Sequence, residues 1–225
     1  LESIDEADIP IVTVATSSWE ALKYLSMARS AWWAGQFDEA VGLLELALGK
    51  DPQFASAKRM LGVLLIQFKG DRERGKQLLR EALVDAQGLP QFEYMMIRAA
   101  NKQFVDEDLE AALAEYELIC DLYPDEAAPH NNSGHMLLAL GRTEEALPMF
   151  ERAAELDLTV TPPLISLYFV YLDHFRGAAK ATEAARRLVD RAPQNVNFRV
   201  MLAWSLAAQG QLDEALELTR AAVAE

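Results

Sequence analysis

The residue types that most often bind metals or act as general bases are scarce in this chain of 225 residues. The two histidines nearest in sequence are His130 and His135, and His174 lies far from both. Two histidines that share a metal ion on one helix stand four residues apart, whereas a spacing of five turns their side chains about 140° from each other. The spacing therefore predicts no metal site at these histidines.

Other catalytic motifs are absent from the sequence as well. It contains no glycine-rich phosphate loop, no Cys-x-x-Cys pair and no Ser–His–Asp setting. The single cysteine, Cys120, cannot form an intramolecular disulfide and is predicted to be a small apolar core residue. Paired carboxylates such as Asp38-Glu39 and Glu144-Glu145 lie at predicted helix starts, where the helix dipole favours negative charge. We therefore predict that the chain is not an enzyme and holds no cofactor.

The charge balance narrows the class of partner. The formal net charge is −14, from 35 acidic and 21 basic side chains, and such a surface repels the phosphates of nucleic acids. No apolar run approaches the ~20 residues that a membrane-spanning helix needs. We expect a soluble segment, on the cytoplasmic or the extracytoplasmic side of a membrane, with a protein or peptide as its partner. Because the chain begins at Leu1 and ends inside a predicted helix, we also expect a piece of a longer protein.

The charges are unevenly distributed along the chain. Residues 103–141 contain nine carboxylates and neither Lys nor Arg, whereas residues 58–80 contain seven basic side chains and two acidic ones. Most such runs are solvated helix faces. A basic and an acidic segment on one chain would also suit head-to-tail association into a homo-oligomer.

The elements that position these residues follow a repeat. Similar phrases begin at residues 32, 138 and 207: WWAGQFDEA, LALGRTEEA and AAQGQLDEA. Together with Gly70, their glycines set a period of 34 to 37 residues, and turn positions without glycine fall at Arg176 and near Glu107. Glycine permits the left-handed backbone that ends a helix, and the acidic residues after it favour the start of the next helix. Each phrase therefore predicts the corner between two antiparallel helices.

Six such units predict an all-α fold, a right-handed α-solenoid of about six helix–turn–helix repeats. The predicted repeats are 21–54, 55–88, 89–125, 126–160, 161–194 and 195–225. Departures from the pattern cluster in the second and third units, where Gly75 replaces alanine and Gln87 replaces proline. The sequence leaves the local geometry of residues 70–110 open.

The repeat resembles the tetratricopeptide repeat, a helix–turn–helix unit of 34 residues. The matching positions are Ala28, Gly35, Phe37, Ala40, Ala47 and Pro52 in the first unit, and Gly134, Gly141, Ala146, Phe150 and Ala153 in the fourth. The resemblance implies a protein–protein interaction module in which the first helix of each repeat lines a concave face. Peptide ligands of such arrays lie along this face.

Carried onto this chain, the resemblance implies one stripe of groove residues, with aromatic surface, amides and two arginines. Such a lining suits an extended peptide with acidic side chains. The candidate residues are Arg29, Trp32, Arg59, Asn101, Phe104, Asn131, His135 and Trp204. The polar members Arg29, Arg59, Asn101 and Asn131 are expected to be exposed. The alternative for Trp32, Phe104 and Trp204 is that they pack between neighbouring helices.

Residues 1–17 are predicted to form an extended junction before the array at 18–225, and Ser17 with Glu20 is predicted to form a capping box. The stretch from Asp5 to Leu25 resembles the junction before the repeats of bacterial eukaryotic-type serine/threonine kinases and winged-helix regulators. The matching positions are Thr16, Ser17, Ser18, Glu20, Ala21, Leu22 and Lys23. This resemblance implies an upstream effector domain and a role in signalling. The competing hypothesis is a structural array that associates with itself.

Overall fold

The computed structural model describes residues 16–156, 162–173 and 177–223. These residues form twelve α-helices and no strand. The helices are α1 (Trp19–Trp33), α2 (Phe37–Lys50), α3 (Ala55–Leu64), α4 (Arg72–Asp85), α5 (Gln91–Asn101), α6 (Leu109–Leu122), α7 (Ala127–Ala139), α8 (Thr143–Leu156), α9 (Pro162–Asp173), α10 (Ala178–Arg191), α11 (Val196–Ala208) and α12 (Leu212–Val223). The expectations for residues 1–15, His174 and Arg176 lie outside the described residues.

Consecutive helices pack as hairpins within two compact units. Helices α1 to α6 belong to the unit that ends at Pro124, and α7 to α12 belong to the unit that starts at Asp125. In each unit the odd-numbered helix pairs with the even-numbered helix that follows it. The predicted all-α solenoid of helical repeats is confirmed. None of the described helices has the length and apolar character needed to cross a bilayer.

The repeated phrase forms the corner of a hairpin. Gly35, Gly70, Gly141 and Gly210 adopt φ values of 77°, 70°, 76° and 78°, which lie in the left-handed region that the sequence predicts for them. Glu107 adopts φ 59° at the position where the period requires a turn without glycine. Counting residues therefore located this turn correctly.

The second and third hairpins depart from regular geometry just before their turns. Helices α3 and α5 each continue into a five-residue π-helical turn, Leu65–Lys69 and Lys102–Asp106. The amide that follows each corner reaches back six residues, with distances of 3.1 Å from Asp71 N to Leu65 O and 3.0 Å from Asp108 N to Lys102 O. A π turn closes wider hydrogen-bonded rings than an α-helix and so takes up an extra residue. The second π turn accounts for part of the long spacing between Gly70 and Glu107, and the connection from α4 to α5, at 86–90, is also one residue longer than the connection from α2 to α3, at 51–54.

Close approach of α3 and α4 explains the glycine that replaces alanine in the second unit. A Cβ atom on Gly75 would lie 2.5 Å from Ile66 Cγ1 and 2.7 Å from Gly62 O. Ile66 belongs to the first π turn. The turn therefore places a side chain where the alanine methyl of a regular repeat would stand.

The core of each unit is built from the apolar faces of its hairpins. Leu44, Phe54 and Leu61 are fully buried in the first unit, and Phe150 and Tyr168 in the second. Burial of each such side chain contributes about 1.5–3 kcal/mol. Small residues at the predicted columns, including Ala28, Ala40, Ala47, Ala146 and Ala153, are also fully buried and let the paired helices approach closely.

The first helix begins one residue later than a Ser17 cap would place it. Ser18 is the N-cap, and its hydroxyl accepts a hydrogen bond from Ala21 N at 3.2 Å. Thr16 Oγ1 accepts the amide of Ser18 at 3.0 Å and donates to Asp51 Oδ2 at 2.5 Å. The predicted capping box is wrong, because Thr16 fixes the amide of Ser18 and the Glu20 carboxylate pairs with Lys50 at 3.0 Å.

Candidate functional site

In the first unit, two candidate arginines lie on successive first helices, close enough for the charge of Arg59 to act on Arg29. Arg29 lies on α1 and Arg59 on α3, and both are half-buried. Burial lowers the pKa of Arg29, and the nearby charge of Arg59 lowers it further, whereas Glu93 of α5 acts in the opposite direction. Within the described residues, neither guanidinium forms an ion pair or hydrogen bond; Arg29 lies 5.9 Å from the ring of Trp33, and Arg59 Nε is buried without a partner. We refer to Arg29 and Arg59 as the arginine pair.

Glu93 brings one negative charge to the neighbourhood of the arginine pair. Its side chain is buried, and its Oε2 accepts a hydrogen bond from Ser56 Oγ at 2.9 Å. A buried carboxylate requires such a bond or a nearby positive charge. Two guanidinium groups and one carboxylate leave one positive charge in excess on the surface that α1, α3 and α5 provide. This surface can bind an anionic group.

Two aromatic candidates of the first unit are half-buried beside the π turns. Trp32 packs edge-on against Phe68, with ring centroids 6.2 Å apart, and Phe37 stacks on the same ring at 4.1 Å. Phe104 lies within the second π turn. Trp32 therefore packs between the first and second hairpins, as in the alternative interpretation of the sequence.

Asn101 does not reach an accessible surface. Its side chain is only 5% exposed, and its Nδ2 donates to Leu79 O at 2.8 Å and to Ile97 O at 3.1 Å. The expectation that Asn101 is exposed in a groove is wrong, because its amide connects α4 to α5 just before the second π turn. Ile97, which lies one helical turn before Asn101 on the same face of α5, is fully buried.

In the second unit, Asn131 and His135 lie four residues apart on one face of α7. Ser166 of α9 contacts both: its Oγ donates to Asn131 Oδ1 at 3.0 Å and lies 3.1 Å from His135 Nε2. The His135 ring also packs edge-on against Phe150 of α8, with centroids 5.0 Å apart. We call these three polar residues the Asn–Ser–His cluster.

Ser166 is a member of this cluster that the sequence interpretation missed. It lies 35 residues after Asn131, which is about one repeat period, so both residues occupy the same position of successive units. Its side chain is buried, and the hydroxyl lies between the two α7 side chains. The repeat period assigns Ser166 to the same column as Asn131, but the predicted groove residues do not include it.

His135 is reached by solvent although protein surrounds it. The residue is exposed, yet burial lowers the pKa of the imidazole. The ring packs edge-on against Phe150 and lies 3.1 Å from Ser166 Oγ, so part of it is desolvated while the residue as a whole stays exposed. The imidazole is therefore neutral at pH 7.

Trp204 of α11 lies on the surface of the second unit. Its side chain is 67% exposed, so the interpretation that it packs between neighbouring helices does not hold for this residue.

The described residues contain no group of three His, Cys, Asp or Glu side chains arranged to hold a metal ion. The candidate surfaces therefore offer charge, amide groups and aromatic area.

Family models match most of the chain. One model described as tetratricopeptide repeat matches residues 25–69 and 164–225, and a second with the same description matches residues 127–159. Among curated proteins, the chain is similar to the protein CTR9 homolog of Arabidopsis thaliana, at 25% identity over 135 residues. That match covers 59% of this chain but spans only 12% of the plant protein.

Solved structures show the same fold. The crystal structure of TTC0263, a thermophilic TPR protein of Thermus thermophilus, matches with a TM-score of 0.62 at 20% identity, over 83% of this chain and 99% of that chain. The structure of PilW, a widely conserved type IV pilus biogenesis factor, matches with a TM-score of 0.56 at 15% identity, over 90% and 91% of the two chains. Likeness at this level of identity concerns the architecture alone.

Proposed function

We propose that this chain, which belongs to the tetratricopeptide repeat family, functions in protein–protein interaction. In this function an extended peptide of a partner protein docks along the first helices of the hairpins. Repeat arrays of this kind offer extended surfaces to such ligands.

The arginine pair is the observation that carries this proposal. Several other basic side chains of the first unit form ion pairs with carboxylates: Lys50 with Glu20, Lys58 with Asp85, Lys69 with Asp38, Arg74 with Glu45 and Arg98 with Glu115. Two half-buried guanidinium groups that lack such partners carry a desolvation cost. An anionic ligand would remove that cost, and a carboxylate fits the planar fork of a guanidinium with two parallel hydrogen bonds.

The proposed ligand is therefore a peptide that places an acidic side chain or its terminal carboxylate against the arginine pair. The net charge of −14 repels acidic molecules at long range. A bound peptide must consequently gain its affinity at short range, from groups that meet the pair directly.

Peptide binding by fluorescence anisotropy tests the proposal, with ligands selected from a random dodecapeptide library. We expect acidic peptides to bind the wild type and to lose about 10- to 100-fold in affinity in the Arg29→Glu/Arg59→Glu variant, because charge-assisted hydrogen bonds are lost. The matched control is Lys23→Glu/Arg80→Glu, which makes the same change of net charge at two exposed positions of the same unit.

Three outcomes would decide against the proposal. Equal losses in both variants would attribute binding to net charge, and retained binding in the arginine variant would move the site elsewhere. A wild type that selects no peptide from the library would contradict docking of an extended ligand.

We also propose that the chain is the repeat region of a larger bacterial signalling protein. The likeness of residues 5–25 to the junction before such arrays supports this context. The test is the coding sequence upstream of Leu1. A kinase or winged-helix domain in that reading frame would support the proposal, and a reading frame with neither would contradict it.

Self-association remains the competing function, with segment 58–80 of one copy meeting segment 103–141 of another. Part of this charge is already used within one chain, since Arg72 and Lys76 both pair with Glu107. Sedimentation mass at low and high salt separates the two functions. A monomer at all concentrations in low salt would exclude self-association, whereas a salt-sensitive oligomer without peptide binding would replace docking.

A further inference from the structure

We infer that the Asn–Ser–His cluster binds the main-chain N–H and C=O of one residue of an extended peptide ligand, by presenting one hydrogen-bond donor and one acceptor side by side. The inference rests on the proposed function and concerns the second unit alone. Its ligand group is the main chain, whereas the arginine pair is proposed to hold a carboxylate.

The Ser166 hydroxyl determines what the other two side chains can offer. A hydroxyl carries one proton, and this proton is donated to Asn131 Oδ1. The imidazole nitrogen Nε2 lies 3.1 Å from the same oxygen and must therefore carry a proton and donate it to Ser166 Oγ. In a neutral imidazole the other nitrogen, Nδ1, is then an acceptor.

The remaining polar atoms of Asn131 and His135 are complementary to the N–H and C=O of one residue in an extended chain. Within the described residues, Asn131 Nδ2 and His135 Nδ1 have no protein hydrogen-bond partner; Nδ2 is not enclosed by protein, and His135 is an exposed residue. Nδ2 can donate to a main-chain carbonyl oxygen, and Nδ1 can accept from a main-chain N–H. Because the two residues are one helical turn apart on α7, both groups face the same side.

The complementarity does not depend on the direction of the hydrogen bonds through Ser166. If the Asn131 amide is turned over, Ser166 donates to His135 Nε2, so Nδ1 becomes the donor and Asn131 Oδ1 the acceptor. One donor and one acceptor remain in either arrangement. The single hydroxyl proton enforces this opposite polarity.

Burial of the Ser166 hydroxyl fixes the Asn–Ser–His cluster before a ligand arrives. Ser166 is 8% exposed, and the His135 ring is held edge-on against Phe150. Side chains that are already fixed lose little freedom on binding, which favours affinity. A site that contacts only the main chain of its ligand accepts many side-chain sequences.

The test replaces single peptide bonds of a library-selected dodecapeptide by esters, which removes one N–H at a time. For one position we expect the ester to weaken binding to the wild type about three- to tenfold, the effect of one neutral hydrogen bond. The same ester should have no effect in His135→Phe, which keeps an aromatic ring against Phe150, or in Ser166→Ala. Ser205→Ala is the matched control, because Ser205 is a buried serine of the same unit whose hydroxyl donates to Leu202 O.

A second measurement needs no ligand and reports the hydrogen bonds within the Asn–Ser–His cluster. The ¹⁵N chemical shifts of the His135 ring should show a neutral imidazole at pH 7 with its proton on Nε2, and Ser166→Ala should change the tautomer ratio. If the proton is on Nδ1, Asn131 Oδ1 and not His135 accepts the ligand N–H that the ester removes. The cluster then still presents one donor and one acceptor. A doubly protonated ring at pH 7 would overturn the inference.

The failures of the two proposals are distinguishable. If selected peptides depend on the arginine pair but no ester position is sensitive to His135, Asn131 or Ser166, the inference is wrong and the docking function stands. If no peptide binds the wild type, the docking function fails and this inference falls with it.

Discussion

Gly62 and Gly75 bring the backbones of α3 and α4 together, such that a Cβ atom on Gly75 would lie 2.7 Å from the carbonyl oxygen of Gly62. The carbonyl belongs to the backbone and cannot rotate away as a side chain could. Ile66 Cγ1, at 2.5 Å from the same point, closes the other side. The second hairpin therefore tolerates only glycine at position 75 without moving a helix.

Gly75→Ala should destabilise the protein by about 1–2 kcal/mol, because overpacking outweighs the smaller gain that alanine brings to a helix. Gly42→Ala is the matched control: Gly42 lies in α2, and a Cβ there would meet nothing within 4 Å. That variant should gain about 0.5–1 kcal/mol. Urea unfolding followed by circular dichroism measures both, and an equal gain in the two variants would refute the close approach.

Glu107 combines an unfavourable backbone conformation with favourable ion pairs. Its φ of 59° is uncommon for a residue with a side chain, while its carboxylate accepts a hydrogen bond from Lys76 and pairs with Arg72 at 3.1 Å. These two cations lower the pKa of Glu107, Lys76 having the larger effect. Salt screens ion pairs but leaves backbone strain unchanged.

Glu107→Gln should therefore be less stable than the wild type at low salt, with the difference shrinking as salt is added. Glu107→Gly should exceed Glu107→Gln in melting temperature by a margin that salt does not change, because the two variants differ in backbone strain and share the loss of charge. Thermal melts at two NaCl concentrations provide the comparison. A difference between wild type and Glu107→Gln that is constant with salt would contradict the role of the ion pairs.

Asn101→Ala should lower the free energy of unfolding by about 1–3 kcal/mol, because the hydrogen bonds to Leu79 O and Ile97 O are lost and a void remains. Peptide binding by the folded variant should be unchanged, since the side chain is buried. Urea titration and anisotropy on the same preparation give both quantities. Loss of binding at unchanged stability would restore Asn101 to the ligand surface.

His135 should make stability depend on pH below neutrality. Burial lowers its pKa from the ordinary value of 6.5, so below that value the unfolded chain binds a proton more readily than the folded chain. Stability then falls as the pH drops through 6.5 and levels off below the folded pKa. His135→Phe should remove this component, and the difference between wild type and variant isolates it from the carboxylates they share. Parallel pH profiles of the two proteins would contradict the assignment.

The helical corners were predictable because a left-handed residue must recur once per unit. The repeat period located even the corner near Glu107, where glycine is missing. The choice between Ser17 and Ser18 as the N-cap was not predictable from local sequence. It depends on the contact of Thr16 with Asp51, 35 residues away.

The ligand-facing residues were harder to predict than the turns, because helix spacing describes a face but not what covers it. The stripe brought Arg29 and Arg59 to one surface of the first unit, yet it also selected Asn101, which the carbonyl oxygens of Leu79 and Ile97 hold in the interior. Ser166 was missed although the repeat period places it in the column of Asn131. Its role depends on a contact across one repeat, and no pattern within a single helix reveals it.

The first π turn also determines how this chain should be aligned with other arrays. Gly70 follows Gly35 by 35 residues, one more than the 34 of the standard repeat. The insertion lies inside the helical segment Leu65–Lys69, so an alignment gap belongs there and not in the loop after Gly70. A gap opened in the loop would shift the columns of Ile66 and Phe68 by one and would assign their contacts with Gly75, Trp32 and Phe37 to the wrong residues of a homologue.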